Sequence, residues 1–162
     1  MKINYKKGSG LVEILVAVFV FSIILGSLIN ASNMYLTGAG ENLRSAKGAY
    51  LAEEGIEAVK IIRDTNWSTI SGLSTTTNYY LAWDTSSTTN NTWKATTTVA
   101  LVDSIFTRIF RLNNVYRDSN GRIVSSGGTF DSNTKKVSVS VSWKSKATTT
   151  VKTLSTYIAN IL

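Results

Sequence analysis

Residues 11–29 read LVEILVAVFVFSIILGSLI, nineteen positions that include a single charge. At about 1.5 Å per residue a helix of this length extends roughly 28 Å, close to the hydrocarbon thickness of a bilayer. Lys2, Lys6 and Lys7 precede the run with no acid among them. Basic flanks stay on the cytoplasmic side, so the run is expected to cross a membrane once with its N-terminus inside. A secretory signal is the competing reading, because it too is a basic stretch followed by an apolar core. Two features weigh against it. The run is longer than the usual core of a signal, and Ala31-Ser32-Asn33 makes a poor cleavage site.

Glu13 interrupts this run. An ionised carboxylate inside hydrocarbon costs several kcal/mol unless it is paired. Two readings stand: Glu13 lies near the membrane surface and stays hydrated, or a specific cation meets it in the bilayer.

Downstream, residues 41–64 (ENLRSAKGAYLAEEGIEAVKIIRD) have the spacing of an amphipathic helix. Ala49, Ala52, Ile56, Val59 and Ile62 recur at three- and four-residue intervals, which predicts a face against which a sheet packs. Glu41–Arg44, Glu57–Lys60 and Lys60–Asp64 are spaced to interact across a turn. Gly38 and Gly40 lie between the two helical stretches. Each weakens a helix by about 1 kcal/mol relative to Ala, so a kink or loosened turn is expected there or near Gly26. Continuous from Leu11 to Asp64, the helix would be about 80 Å long.

Residues 6–13 carry a resemblance to a known family. Lys6-Lys7-Gly8-Ser9-Gly10-Leu11-Val12-Glu13, then a long apolar stretch, resembles the start of type IV prepilins and pseudopilins. The resemblance implies cleavage by a prepilin peptidase after Gly8, with Ser9 as the new N-terminus and Glu13 as the fifth mature residue. Cleavage after Gly10 would make Glu13 third and break that frame. The chain departs from the family at Ser9, where a bulky apolar residue is usual, and at Gly10, where Thr is common. The resemblance also implies N-methylation at the new N-terminus, Ser9, where these departures fall. A cysteine pair that closes the C-terminal loop of many pilins is absent as well. The resemblance further implies that Glu13 meets the N-terminal amine of a neighbouring subunit during assembly. The implied partners are the peptidase, other pilin subunits, the assembly platform and membrane lipid. A minor pilin fits the departures at Ser9 and Gly10 better than a major one, and a type II secretion pseudopilin shares the same plan.

Beyond the helix, residues 65–93 read as a Ser/Thr-rich connection, with short strands conceivable around Tyr79–Trp83. Trp67, Tyr79, Tyr80, Trp83 and Trp93 are expected to pack this connection onto the sheet rather than form an exposed aromatic surface. Residues 94–162 read as an antiparallel meander. Its clearest strand is 136–144, where Val137, Val139, Val141 and Trp143 alternate with Lys and Ser. A turn near 145–147 leads to a partner strand over 148–158, and 96–102 and 105–112 supply two more, divided at Asp103-Ser104. The fold class is therefore α+β: a leader over 1–8, a long helix over 9–64 with its transmembrane part about 11–29, the connection over 65–93, and the sheet over 94–162.

Composition limits the chemistry. There is no His and no Cys, so thiolate nucleophiles, Ser–His–Asp triads and zinc sites of the Cys/His kind are excluded. Asp84, Asp103, Asp118 and Asp131 stand apart in sequence, and no catalytic set, cofactor motif or metal site is expected. Asp118-Ser119-Asn120-Gly121 begins like a calcium loop, but Thr129 stands at the closing position, and Asn-Gly signals a hairpin turn. Residues 1–8 carry +3, 9–64 carry −2 and 65–162 carry +6, for a net +7. The basic C-terminal part supports an alternative role as a surface module that holds DNA or an acidic polymer. Its candidate patch comprises Lys135, Lys136, Lys144, Lys146, Lys152, Arg108, Arg111, Arg117 and Arg122. Lys136 and Lys144 fall on one face of one strand. A single-pass protein with an external enzyme domain is a third reading, for which no site residues stand out.

Overall fold

The computed structural model describes residues 9–85, 92–145 and 148–161. Among them are two helices and seven strands, and every strand pairing is antiparallel. The fold is α+β, one long helix packed on a sheet. The chain divides between Leu43 and Arg44 into two units.

Helix α1 runs from Ser9 to Thr65 without a break. Gly26, Gly38 and Gly40 lie inside it, and none of them ends the helix. Once a helix is nucleated, each further residue adds a hydrogen bond, and a deficit of about 1 kcal/mol at a glycine is a local weakness rather than a stop. Asn66 ends this run and starts α2 (Trp67–Ser71). Its side-chain oxygen accepts from the Ser68 N–H at 2.9 Å, the usual way to satisfy an orphan donor at a helix start.

In the second unit the strands are β1 (Tyr79–Asp84), β2 (Thr92–Thr96), β3 (Leu101–Val102), β4 (Phe106–Arg117), β5 (Ile123–Val124), β6 (Thr129–Ser145) and β7 (Thr148–Ala159). The main order is β2-β1-β4-β6-β7. One side of β4 pairs with β6, and its other side is tiled by three short pieces, β3, β1 and β5 in turn. The sheet therefore begins inside the stretch expected to be a connection, at Tyr79. At the β4–β6 pairing the register slips after Asn114. Asn114 lies opposite Lys135 but Val115 opposite Asp131, which leaves residues 132–134 out of the β4 ladder.

Strand β6 shows the alternation its sequence demands. Val137, Val139, Val141 and Trp143 are buried, while Lys136, Ser138, Ser140, Ser142 and Lys144 face outward. The buried row meets Phe106, Phe110 and Leu112 of β4 and the inner face of α1 between Gly48 and Ile62. That face includes Leu51, Ala52, Ile56, Ala58, Val59 and Ile62, all buried. Ala49, expected within it, is exposed, and Gly48 takes its place. A Cβ on Gly48 would lie 2.5 Å from the Trp143 ring, and one on Gly55 2.7 Å from Val139 Cγ1. These two glycines, seven residues apart, let helix and sheet come together closely.

The aromatic residues of the connection mostly pack inward. Tyr79 stacks on Phe110 with ring centroids 5.5 Å apart, and its hydroxyl accepts from the Ser74 N–H. Trp67 and Trp93 lie against the core, and Trp83, half-exposed, meets Trp93 edge-on at 5.1 Å.

Candidate functional site

The first candidate is the start of α1. Ser9 is its first residue, and Gly8 lies outside the described residues. From Leu11 to Ile29 every large apolar side chain is exposed, and Glu13 is exposed among them. Nothing in the first unit covers this surface. The helix is long and apolar enough to cross a membrane.

The second candidate is the set of nine cations, which the fold separates. Arg108 is 4% exposed and points to the α1 side of β4. Its Nη1 donates to Glu54 Oε2 at 2.9 Å and reaches the Leu51 carbonyl at 3.4 Å. The guanidinium lies 5.2 Å from the Trp93 ring centroid. Arg108 therefore joins helix, sheet and Trp93, and is closed to a macromolecular ligand. Lys135 is likewise buried. It donates to Asn114 Oδ1 at 2.8 Å, directly across the strand pair, and lies over Phe130. Arg117 donates to Asp131 Oδ2 at 2.6 Å, to the Gly121 carbonyl and to Thr134 Oγ1. The Arg117 hydrogen bond holds the Asp131 carboxyl below its usual 3.8, with help from Thr134.

Arg122 is exposed in the β4–β5 turn. There Asp118 Oδ1 accepts from the Asn120 and Arg122 N–H groups, and Gly121 takes φ +77. The Asp-Ser-Asn-Gly stretch is thus a hairpin turn braced by its own aspartate. Lys146 lies outside the described residues. Lys152 is exposed, but its register opposite Val141 puts it in the row that faces the helix side. Arg111, Lys136 and Lys144 remain. Arg111 is opposite Ser138, so all three belong to the outward face of β4 and β6. Arg111 donates to Asn78 Oδ1, a neutral partner.

Two groups that matter here were not evident from sequence. Glu54, the partner of Arg108, resembles any other acid of α1, because its partner comes from 54 residues downstream. Gly48 and Gly55 were legible in principle, since 48, 52, 55, 59 and 62 form an unbroken four-three pattern of small and branched residues. No family model, curated protein or solved structure matches this chain.

Proposed function

We propose that the chain is a structural subunit of a type IV pilus-like filament or pseudopilus. It is inserted with its basic N-terminus inside, cut after Gly8 and assembled through α1. The observation that carries this reading is the unbroken helix from Ser9, whose first half leaves all its large apolar side chains and one carboxylate uncovered. Lipid can cover the apolar side chains, but it does not neutralise Glu13. A second copy offers both a matching apolar helix and, once Ser9 is the N-terminus, a cation. Opposite charges attract strongly at low dielectric, and each offsets the desolvation of the other. The second half of the helix serves as the spine of the head. In this reading the protein performs no catalysis.

Mass spectrometry of the N-terminal peptide tests the pathway, in cells with and without the prepilin peptidase. A peptide that begins at Ser9 and disappears with the peptidase is expected, and any N-methylation appears in the same spectrum. An N-terminus at Met1 in both cells would overturn the reading. Glu13→Ala is expected to leave membrane insertion intact and to lower incorporation into filaments. Long filaments that contain the protein distinguish a pilus from a secretion pseudopilus.

A further inference from the structure

We propose that the outward face of β4, β6 and β7 binds an acidic polysaccharide of low charge density. The face is defined by register. Residues directly opposite each other across antiparallel strands share a side of the sheet, so the outward rows of the three strands form one surface. Those rows contain three cations, Arg111, Lys136 and Lys144, and no carboxylate. No ion pair engages any of the three among the described residues. The Asp84 that shares the sheet lies on β1, where Lys94 meets it at 3.2 Å.

Between the cations the surface is made of hydroxyls. Ser138 and Ser155 are 2.8 Å apart across β6 and β7, and Ser140 and Thr153 are 2.9 Å apart. Each such pair uses one O–H between its members and keeps a second donor and several lone pairs free. This complements a sugar hydroxyl, which is both donor and acceptor.

Three open depressions follow one another along the face. One of about 480 Å³ holds Lys144 with Leu101 and Ile105. The next, about 360 Å³, holds Arg111 with Ile109 and Val151, and shares Ser142 with the first. The third, about 350 Å³, holds Lys136 with Tyr157. Each combines one cation with an apolar wall. A pyranose ring has matching parts: a C–H face, a hydroxyl rim and, in an acidic sugar, a carboxylate.

Charge density selects the polymer. Lys136 and Lys144 are eight residues apart, about 26 Å along the strand. Duplex DNA of that length carries roughly fifteen phosphates, far more than three cations can neutralise. A glycan with a carboxylate on every second sugar is a closer electrostatic match.

The test uses the full chain in non-ionic detergent. The probe is a hyaluronan fragment, with neutral dextran and duplex DNA as comparisons. Hyaluronan should bind at low salt and dextran should not. With three cations engaged, the slope of log affinity against log salt should be no steeper than about −2. The triple variant Arg111→Gln, Lys136→Gln, Lys144→Gln should lose about ten-fold or more in affinity, a factor worth about 1.4 kcal/mol. Ser142→Glu, which places a carboxylate between two depressions and leaves every cation in place, should do the same. Arg122→Gln with Lys152→Gln should bind as wild type. Tryptophan emission checks that each variant is folded. The proposal is overturned if hyaluronan does not bind at low salt, if the Arg122/Lys152 pair weakens binding as much as the triple variant, or if DNA outcompetes hyaluronan through the same three cations.

Discussion

Glu54→Gln should destabilise the head more than Arg108→Met, although both break the same ion pair. The two partners differ in burial: the Arg108 side chain is 4% exposed and that of Glu54 47%. In Glu54→Gln the guanidinium stays buried with a long contact to the Leu51 carbonyl, and its Nε has no hydrogen-bond partner among the described residues. Breaking a buried pair in this way costs about 3–5 kcal/mol, and the half-exposed glutamate reduces this to about 2 kcal/mol. In Arg108→Met the buried charge is removed, a shorter apolar side chain of comparable volume takes its place, and Glu54 is left facing water. The lost contact with Trp93 contributes about 1 kcal/mol against it, so the net change should lie within about 1 kcal/mol of zero. Trp67, Trp83, Trp93 and Trp143 all follow Arg44, so tryptophan emission reports on the second unit alone. Thermal melts of the full chain in detergent should then show a fall of about 8 °C for Glu54→Gln and little change for Arg108→Met. An Arg108→Met chain that melts as low as Glu54→Gln would refute the argument. The charge itself, or its contact with Trp93, would then stabilise the fold.

Gly55→Ala gains about 1 kcal/mol of helix propensity but forces a methyl against Val139, at a cost of about 1–3 kcal/mol. The net should be destabilising, and Val139→Ala should partly rescue it in a double-mutant cycle of thermal melts. Gly38→Ala and Gly40→Ala meet open space within the helix, so each should stabilise it by about 1 kcal/mol. Hydrogen exchange around residues 36–44 should slow, and unchanged exchange would show that the glycines do not limit local opening. Asp131 has its carboxyl pKa lowered by the Arg117 hydrogen bond first and Thr134 next. A carboxyl lowered in the fold contributes stability above its unfolded value and loses it as pH falls through the folded one. Asp131→Asn should therefore be destabilising at neutral pH, and its gap to wild type should close as pH falls below 3.8. A gap that persists undiminished at low pH would show that shape rather than charge matters there.

The long helix and the last two strands were legible because each follows one period over many residues. The alternation from 136 to 144 reappears in β6, and the partner expected over 148–158 is β7. The expected strand over 96–102 is instead two pieces, β2 ending at Thr96 and β3 at 101–102, and β4 continues to Arg117 rather than 112. These strands are short or half-polar, so their limits depend on which neighbour they pair with. Strand β1 is such a case, placed by pairing to β2 and β4 at Tyr79 and Tyr80. The turn at Asp103-Ser104 was visible, but not that both residues take positive φ or that Lys47 meets Asp103. Of the cations, formal charge showed how many there are and could not show which are buried. Alternation did place Lys136 and Lys144 together, whereas Arg108 and Lys135 occupy core rows that their own residue type argues against.

The contact of Gly48 with Trp143 joins residues 95 positions apart. A ribosome makes the helix long before the strand that covers it. Until β6 is synthesised, Val137, Val139, Val141 and Trp143 are missing from the core that contains Ile56, Val59 and Ile62, and β7 can only pair after β6 exists. Chains cut short in the loop before Thr129 should therefore present a sticky helix and half a sheet, a substrate for chaperones and proteases rather than a smaller folded head. Only a chain that has passed β6 can complete the cover over the inner face of α1 between Gly48 and Ile62.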